Sequence, residues 1–213
     1  GRPGMGKSAL ANNAALSAAT LRRRGAPSIP SLTVNLEMGP DEIIERHVWS
    51  QVRKMERPMD LPARARAGRC TETDMRIICQ AADQIHRTGM AIIDGVGMTS
   101  ADIVAKARRW RNGRDCGKDR DAMVIVDYLQ LIRPARGKSA YNREQEVAAI
   151  SREMKILAKE LDLPVLLLCQ LNREVAKREN HRPRMDDLRE SGAIEQDADV
   201  ILFVHRPCQY LAD

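Results

Sequence analysis

Gly1-Arg2-Pro3-Gly4-Met5-Gly6-Lys7-Ser8 is a G-x-x-x-x-G-K-[ST] stretch, and its reading decides the fold. Small residues at these positions let consecutive backbone N–H groups curl around a β-phosphate. A helix that follows presents its positive N-terminus to the same anion. On this reading the eight residues form a nucleotide-binding loop, Lys7 reaches the β- and γ-phosphates, and the Ser8 hydroxyl ligates Mg²⁺. The run Ala9–Leu16 is a helix former of the kind the loop requires. The usual context of such a loop also includes a strand before it, which this sequence does not show, so the stretch reads as a fragment.

The remainder of the chain alternates short apolar runs with helical periodicity. Ser31–Leu36, Ala91–Asp94, Ala122–Val126, Val165–Cys169 and Val200–Val204 have the near-continuous apolar character of buried parallel strands. Between them, Ile44, Val48, Val52 and Met55 predict one helical stripe, and Met75, Ile78, Ala82 and Ile85 predict another. Thr71-x-x-Asp74 introduces the second as a capping box, and Thr99-x-x-Asp102 opens a third helix through Trp110. From about Asn142 to Leu161, Val147, Ile150, Met154, Leu157 and Leu161 follow 3-4-3-4 spacing. Strand and helix in alternation predict one α/β domain, a P-loop NTPase with a mainly parallel central sheet flanked by helices on both faces. Arg133–Tyr141 and roughly Arg173–Ala193 are long polar interruptions that read as functional loops or disorder, whereas Arg111–Asp121 reads as a surface turn.

Composition narrows the setting. The chain has 213 residues, 43% hydrophobic and 30% charged, and no apolar run approaches the roughly eighteen residues that span a bilayer. A soluble protein without a membrane partner is expected, with the cytoplasm as the default. The five cysteines are scattered without a C-x-x-C pair, which fits neither a disulfide framework nor a zinc site. A net charge of +6 permits a polyanionic partner, and aromatics at 3% favour phosphate contact over base stacking if that partner is a nucleic acid.

Hydrolysis of a bound nucleotide needs a metal matched by a carboxylate and a second carboxylate to orient or deprotonate the water. Met123-Val124-Ile125-Val126-Asp127 is an apolar strand ending in an acid, so Asp127 is expected to hold the Mg²⁺ shell through water. Glu37 ends another strand and is the choice for general base, with Asp94 at a third strand end as a weaker competitor. Gln170 follows the strand Val165–Cys169 and carries an amide suited to sensing a γ-phosphate. A polar residue at such a tip is common, so on its own this role stays open.

Four blocks together resemble the bacterial and phage replicative DNA helicases, the DnaB-like family. They are Leu36-Glu37-Met38, Asp127-Tyr128-Leu129-Gln130-Leu131, Gln170-Leu171-Asn172-Arg173 and Asp187 through Asp199 (DLRESGAIEQDAD), in the family's order. The resemblance implies a RecA-like motor domain, acting as a homo-hexamer that uses ATP to move 5′ to 3′ along single-stranded DNA and displace the partner strand. It implies Lys7 and Ser8 at phosphate and magnesium, Glu37 as catalytic glutamate, Asp127 as the strand-end acid and Gln170 as the γ-phosphate sensor. It assigns DNA contact to the loop with Arg189, Glu190 and Gly192, and adds primase and a helicase loader as candidate partners. Arg173, Lys177, Arg178, Arg182, Arg184 and Arg189 crowd that segment, and Arg133, Arg136 and Lys138 crowd the earlier one, with acids interspersed. The family's basic finger and its amino-terminal domain are not in this sequence, which implies ATP binding with weak turnover by the stretch alone. A RecA- or RadA-like recombination ATPase, or a binding module without turnover, are the alternatives.

Overall fold

The computed structural model describes residues 4–20, 28–55, 60–113, 116–117, 121–134, 142–172, 174–175, 178 and 180–210, with the backbone alone at 189–191. Four parallel strands make one sheet: β1 (Ser31–Asn35), β2 (Met90–Asp94), β3 (Met123–Asp127) and β4 (Val165–Leu167), in the order β2-β1-β3-β4. The helices are α1 (Lys7–Thr20), α2 (Pro40–Lys54), α3 (Leu61–Arg66), α4 (Glu72–His86), α5 (Ser100–Asn112), α6 (Arg143–Leu161) and α7 (Gly192–Asp197). β1 and β3 are the inner strands. Every residue of β1 is buried, as are Val124 through Asp127 of β3, which is why these runs carry no polar alternation.

Side chains leave successive strand residues on opposite faces, and the two faces have different cover. Leu32, Val34, Val124 and Val126 face a core with Ile103, Ala107 and Trp110 of α5 and Val147, Ile150, Met154 and Leu157 of α6. Ile125, between the two valines, joins Ala11 and Ala15 of α1 and Leu168 beyond β4 on the other face. The helix that packs there is built on Ala11, Ala15 and Ala19, whose small side chains allow close approach to the sheet. That approach seats the first residue of α1, Lys7, over the end of β3.

Helix starts follow the predicted chemistry. Thr71 and Asp74 form a reciprocal capping box at α4, and Thr99 and Asp102 form another at α5. Asn142 caps α6 by accepting from the N–H groups of Glu144 and Gln145.

Four sequence expectations are corrected. The buried face of α2 carries Ile43, His47, Val48, Gln51 and Val52, while Ile44 is exposed. On α4 it carries Asp74, Ile77 and Ala81, while Met75 is exposed. Val48 and Val52 are buried as predicted and Met55, Ile78 and Ile85 pack against the same cluster, but each buried face extends to residues one position earlier, some of them polar ones that hydrophobicity cannot count. Val200–Val204 forms no strand: Val200 and Leu202 are 74% and 71% exposed, and the run pairs with no described strand. Apolar, β-branched composition sets a propensity for strand, but a ladder needs a neighbouring edge. Arg111 belongs to α5 and is buried, donating to the carbonyl of Gly117 at 3.0 Å and reaching the Cys116 sulfur at 3.4 Å. The segment read as a surface turn is therefore pinned to the core at that end.

Candidate active site

Gly1, Arg2 and Pro3 lie outside the described residues. From Gly4 onward the phosphate loop runs directly into α1. Gly4 and Gly6 have φ of +78° and +92°, the left-handed region that side chains with a Cβ avoid, so both positions require glycine. The first helical hydrogen bond closes from Leu10 N–H to the Gly6 carbonyl, and Met5 is buried beneath the loop. Ser8, on the first turn of α1, is half-buried.

The Lys7 ammonium sits 4.7 Å from the centre of the Tyr128 ring. Burial lowers its pKa, and the opposing pull of Asp127, Cys169 and Glu37 offsets part of that effect. These three side chains come from β3, the segment after β4 and the segment after β1, so the lysine lies where three chain segments converge. Tyr128 is affected in the complementary way: burial, then the negative charges of Glu37 and Asp127, push its hydroxyl up.

Asp127 ends β3 and is 2% exposed, and its Oδ1 has no hydrogen-bond partner in the protein. A buried carboxylate oxygen without a donor is expensive unless a cation or an ordered water completes it. With the Ser8 hydroxyl, it offers the hard oxygen donors that Mg²⁺ prefers. No grouping of three or more His, Cys, Asp or Glu suited to a metal occurs among the described residues.

Glu37 is brought to Asp127 by register. Asn35 pairs with Asp127 across β1 and β3, and Leu36 N–H donates to the Asp127 carbonyl at 2.8 Å, carrying the ladder past the strand ends. The buried Asn35 then accepts from the N–H groups of Glu37 and Met38 at 2.9 and 2.7 Å, fixing the turn that points the glutamate out of the sheet. Asn35 is a residue that the sequence reading passed over. An Asn closing an apolar strand before a glutamate is the signal that was available. Asp94 stands at the end of the edge strand β2, separated from β3 by β1, and its carboxylate accepts from Val96 N–H at 3.0 Å. It is farther from the Lys7–Asp127 cluster than Glu37 by one strand.

Gln170 lies past β4, half-buried beside Gln130, which engages both its backbone N–H and its carbonyl. Two residues on, the Asn172 N–H donates to the Asp187 carbonyl at 3.1 Å, joining this tip to the segment Met185–Ser191, a run of 3₁₀ turns. Asp187 is buried and takes a bidentate ion pair from Arg178 and the N–H of Arg184. Burial pushes its pKa up, but these donors outweigh it and hold the carboxyl below its ordinary range. The backbone of Arg189 and Glu190 belongs to those turns, and Gly192 opens α7 with open space where a Cβ would stand. Of the basic residues that crowd this segment and the earlier one, Arg178 is committed to Asp187, whereas Arg173, Lys177, Arg136 and Lys138 lie outside the described residues.

A glycine loop feeding a helix, a buried acid on the neighbouring inner strand and a glutamate at the next strand end define a P-loop α/β nucleotide-binding domain. The chain belongs to the DnaB-like helicase C terminal domain family, whose model matches residues 1–213. It is 37% identical over 209 residues to the replicative DNA helicase DnaC of Bacillus subtilis (strain 168), covering 98% of this chain and 42% of that protein. It is 36% identical over 212 residues to the replicative DNA helicase DnaB of Geobacillus stearothermophilus, covering 100% and 43%. The chain thus spans somewhat under half the length of these curated relatives. Among solved structures, the ATPase domain of G40P superposes with a TM-score of 0.82 at 34% identity, covering 98% of this chain and 68% of that one. A DnaB-like replicative helicase, solved in a study of its interactions with primase, gives 0.80 at 34% identity, covering 98% and 47%.

Proposed function

We propose that this chain is the ATP-hydrolysing motor domain of a replicative DNA helicase, coupling hydrolysis to 5′–3′ movement on single-stranded DNA. The observation that carries the reading is the convergence of Lys7, Glu37 and the orphaned Asp127 carboxylate at adjacent strand ends. Gly1 through Ser8 cradle the triphosphate, and Lys7 neutralises the β- and γ-phosphates. Ser8 and Asp127 would hold Mg²⁺, directly and through water, and when bound the ion offsets the charge that develops on the phosphates. Glu37 orients the attacking water and accepts its proton as the γ-phosphorus to β-oxygen bond breaks and ADP leaves with the electron pair. Gln170 contacts the γ-phosphate and responds to its loss.

The connection from Gln170 through Asn172 to Asp187 supports a mechanical route to the loop of Arg189, Glu190 and Gly192, which contacts DNA phosphate in this proposal. A backbone N–H at Gly192 suits an anion because no side chain obstructs it. The same reading includes a homo-hexameric ring in a cytoplasmic setting, with primase and a loader as further partners. A trans-acting basic finger and the strand before the phosphate loop are expected in the full-length protein. Among the described residues no helix is long and apolar enough to cross a membrane.

A fork-unwinding assay of the full-length protein tests the proposal. Strand displacement is expected with Mg·ATP and a 5′ single-stranded tail, and not with a 3′ tail alone. Strand exchange on a DNA filament, without fork unwinding, would replace it with the recombination reading.

A further inference from the structure

Beyond Leu168 the β3 chain turns away into the 3₁₀ turn Leu129–Leu131, so among the described residues Gln170 has no strand residue opposite it on the β3 side. The last ladder bonds are Leu168 N–H to the Val126 carbonyl and Leu129 N–H to the Leu168 carbonyl, both 2.9 Å. Gln130 fills the gap with its side chain. Its Oε1 accepts from the Gln170 N–H at 3.0 Å, and its Nε2 donates to the Gln170 carbonyl at 3.1 Å. A primary amide thus presents one acceptor and one donor to the backbone of a single residue, as a strand's peptide groups would. The same Nε2 lies 3.0 Å from the Cys169 sulfur.

Gln130 is itself held on both sides. Leu129 before it is fully buried, and its own carbonyl accepts from Arg143 Nη2 at 2.7 Å. Arg143 is anchored in turn by Glu146 at 3.0 Å on the first turn of α6. Gln130 and Gln170 are forty apart in sequence, and Gln130 stands three positions after Asp127. We infer that Gln130 is a positioning residue: its amide splices the Gln170 backbone onto the end of β3 and so sets the height of the Gln170 side chain relative to Asp127.

This inference rests on the proposed γ-phosphate role of Gln170 and extends it. The chemistry is specific to glutamine. Asparagine is one methylene too short, glutamate accepts but cannot donate, and methionine matches the length while removing both bonds.

The test compares Gln130→Met, Gln130→Glu, Gln170→Ala and the double variant Gln130→Met/Gln170→Ala in the full-length protein. ATPase kcat and KM, ADP affinity and the thermal midpoint are measured for each. Because misplacing a reacting group by about 1 Å costs on the order of a hundredfold, Gln130→Met is expected to lower kcat by about 10- to 100-fold. ADP affinity should stay within about twofold, since the lost alignment concerns only the γ-phosphate. Gln130→Glu, which keeps the acceptor but sets a carboxylate oxygen against the Gln170 carbonyl, should lower kcat at least as far as Gln130→Met. In the Gln170→Ala background, Gln130→Met should cost nothing further.

Equal losses in both backgrounds, or matching losses in ADP affinity and thermal midpoint, make Gln130 a structural residue and overturn the inference alone. An impaired Gln170→Ala beside a fully active Gln130→Met does the same. A fully active Gln170→Ala overturns the γ-phosphate role and this inference together.

Discussion

His47 sits on the buried face of α2, 2% exposed, with Nε2 lacking a hydrogen-bond partner. Burial moves its pKa from 6.5 down to about 4, so the folded protein holds the neutral ring. The unfolded chain takes up the proton first. The stabilising contribution is therefore complete above pH 6.5, declines as the pH falls toward 4 and changes no further below that. Between pH 7 and pH 5 the two pKa values make unfolding easier by about 2 kcal/mol, a roughly thirtyfold shift in the folding equilibrium. Most of that loss is set by the unfolded imidazole, which is almost fully protonated at pH 5.

The perturbation is His47→Gln, a polar side chain that does not titrate. Urea unfolding followed by the fluorescence of Trp49 and Trp110, at pH 7, 6 and 5, gives stability for both proteins. Whatever the substitution costs at pH 7, the gap between the two should close, or reverse in favour of the variant, by about 2 kcal/mol at pH 5. Parallel stability profiles across this range would refute the reasoning, since they would mean that His47 titrates alike in the folded and unfolded chain.

Lys7→Ala removes the cation that meets Asp127, Glu37 and Cys169 together; calorimetric titration should show ATP affinity reduced beyond detection, and normal affinity would dismiss the phosphate loop. Glu37→Gln should retain nucleotide affinity within a few-fold while steady-state ATPase of the full-length protein drops by on the order of a hundredfold or more. Unchanged turnover there would take Glu37 out of the chemistry. Arg189→Ala is expected to weaken single-stranded DNA binding and to lower the salt slope by about one, read from anisotropy titrations over a range of salt concentrations. A slope equal to wild type would place that side chain away from the phosphates.

What could be read along the chain was local. The capping boxes at Thr71 and Thr99 need only residues three apart, and both are in the structure. The periodicity of α6 is carried by apolar residues with Ser151 the one polar residue on the buried face, so Val147, Ile150, Met154 and Leu157 are all buried as spaced. The α2 stripe holds at Val48 and Val52 but misses the rest of the buried face, because the protein also buries His47 and Gln51 there, which only the surrounding packing permits. Val200–Val204 has the composition of a strand but no partner among the described residues, and pairing is not a property of the run itself. Asn35 and Gln130 were quoted or passed over without a role for the same reason. Asn35 acts on a turn whose direction depends on the β1–β3 register, and Gln130 acts on a residue brought to it by β4. The order β2-β1-β3-β4 likewise sets the strand of Glu37, and not that of Asp94, beside Asp127, and no spacing in the chain encodes it.

The bond from Leu36 to the Asp127 carbonyl has a consequence for how a motor of this kind divides its labour. β1 and β3 pair along five registers, and that extra bond continues the zip to the foot of Glu37. The two carboxylates therefore ride on one stiff girder. β4 pairs with β3 along only three registers, and beyond Leu168 a single side-chain amide stands in for the ladder at Gln170. Stiffness is thus unequal across the site. In the proposed mechanism the water-handling side would act as the stator, and a stroke that follows loss of the γ-phosphate would begin on the softer flank that leads through Asn172 to Gly192.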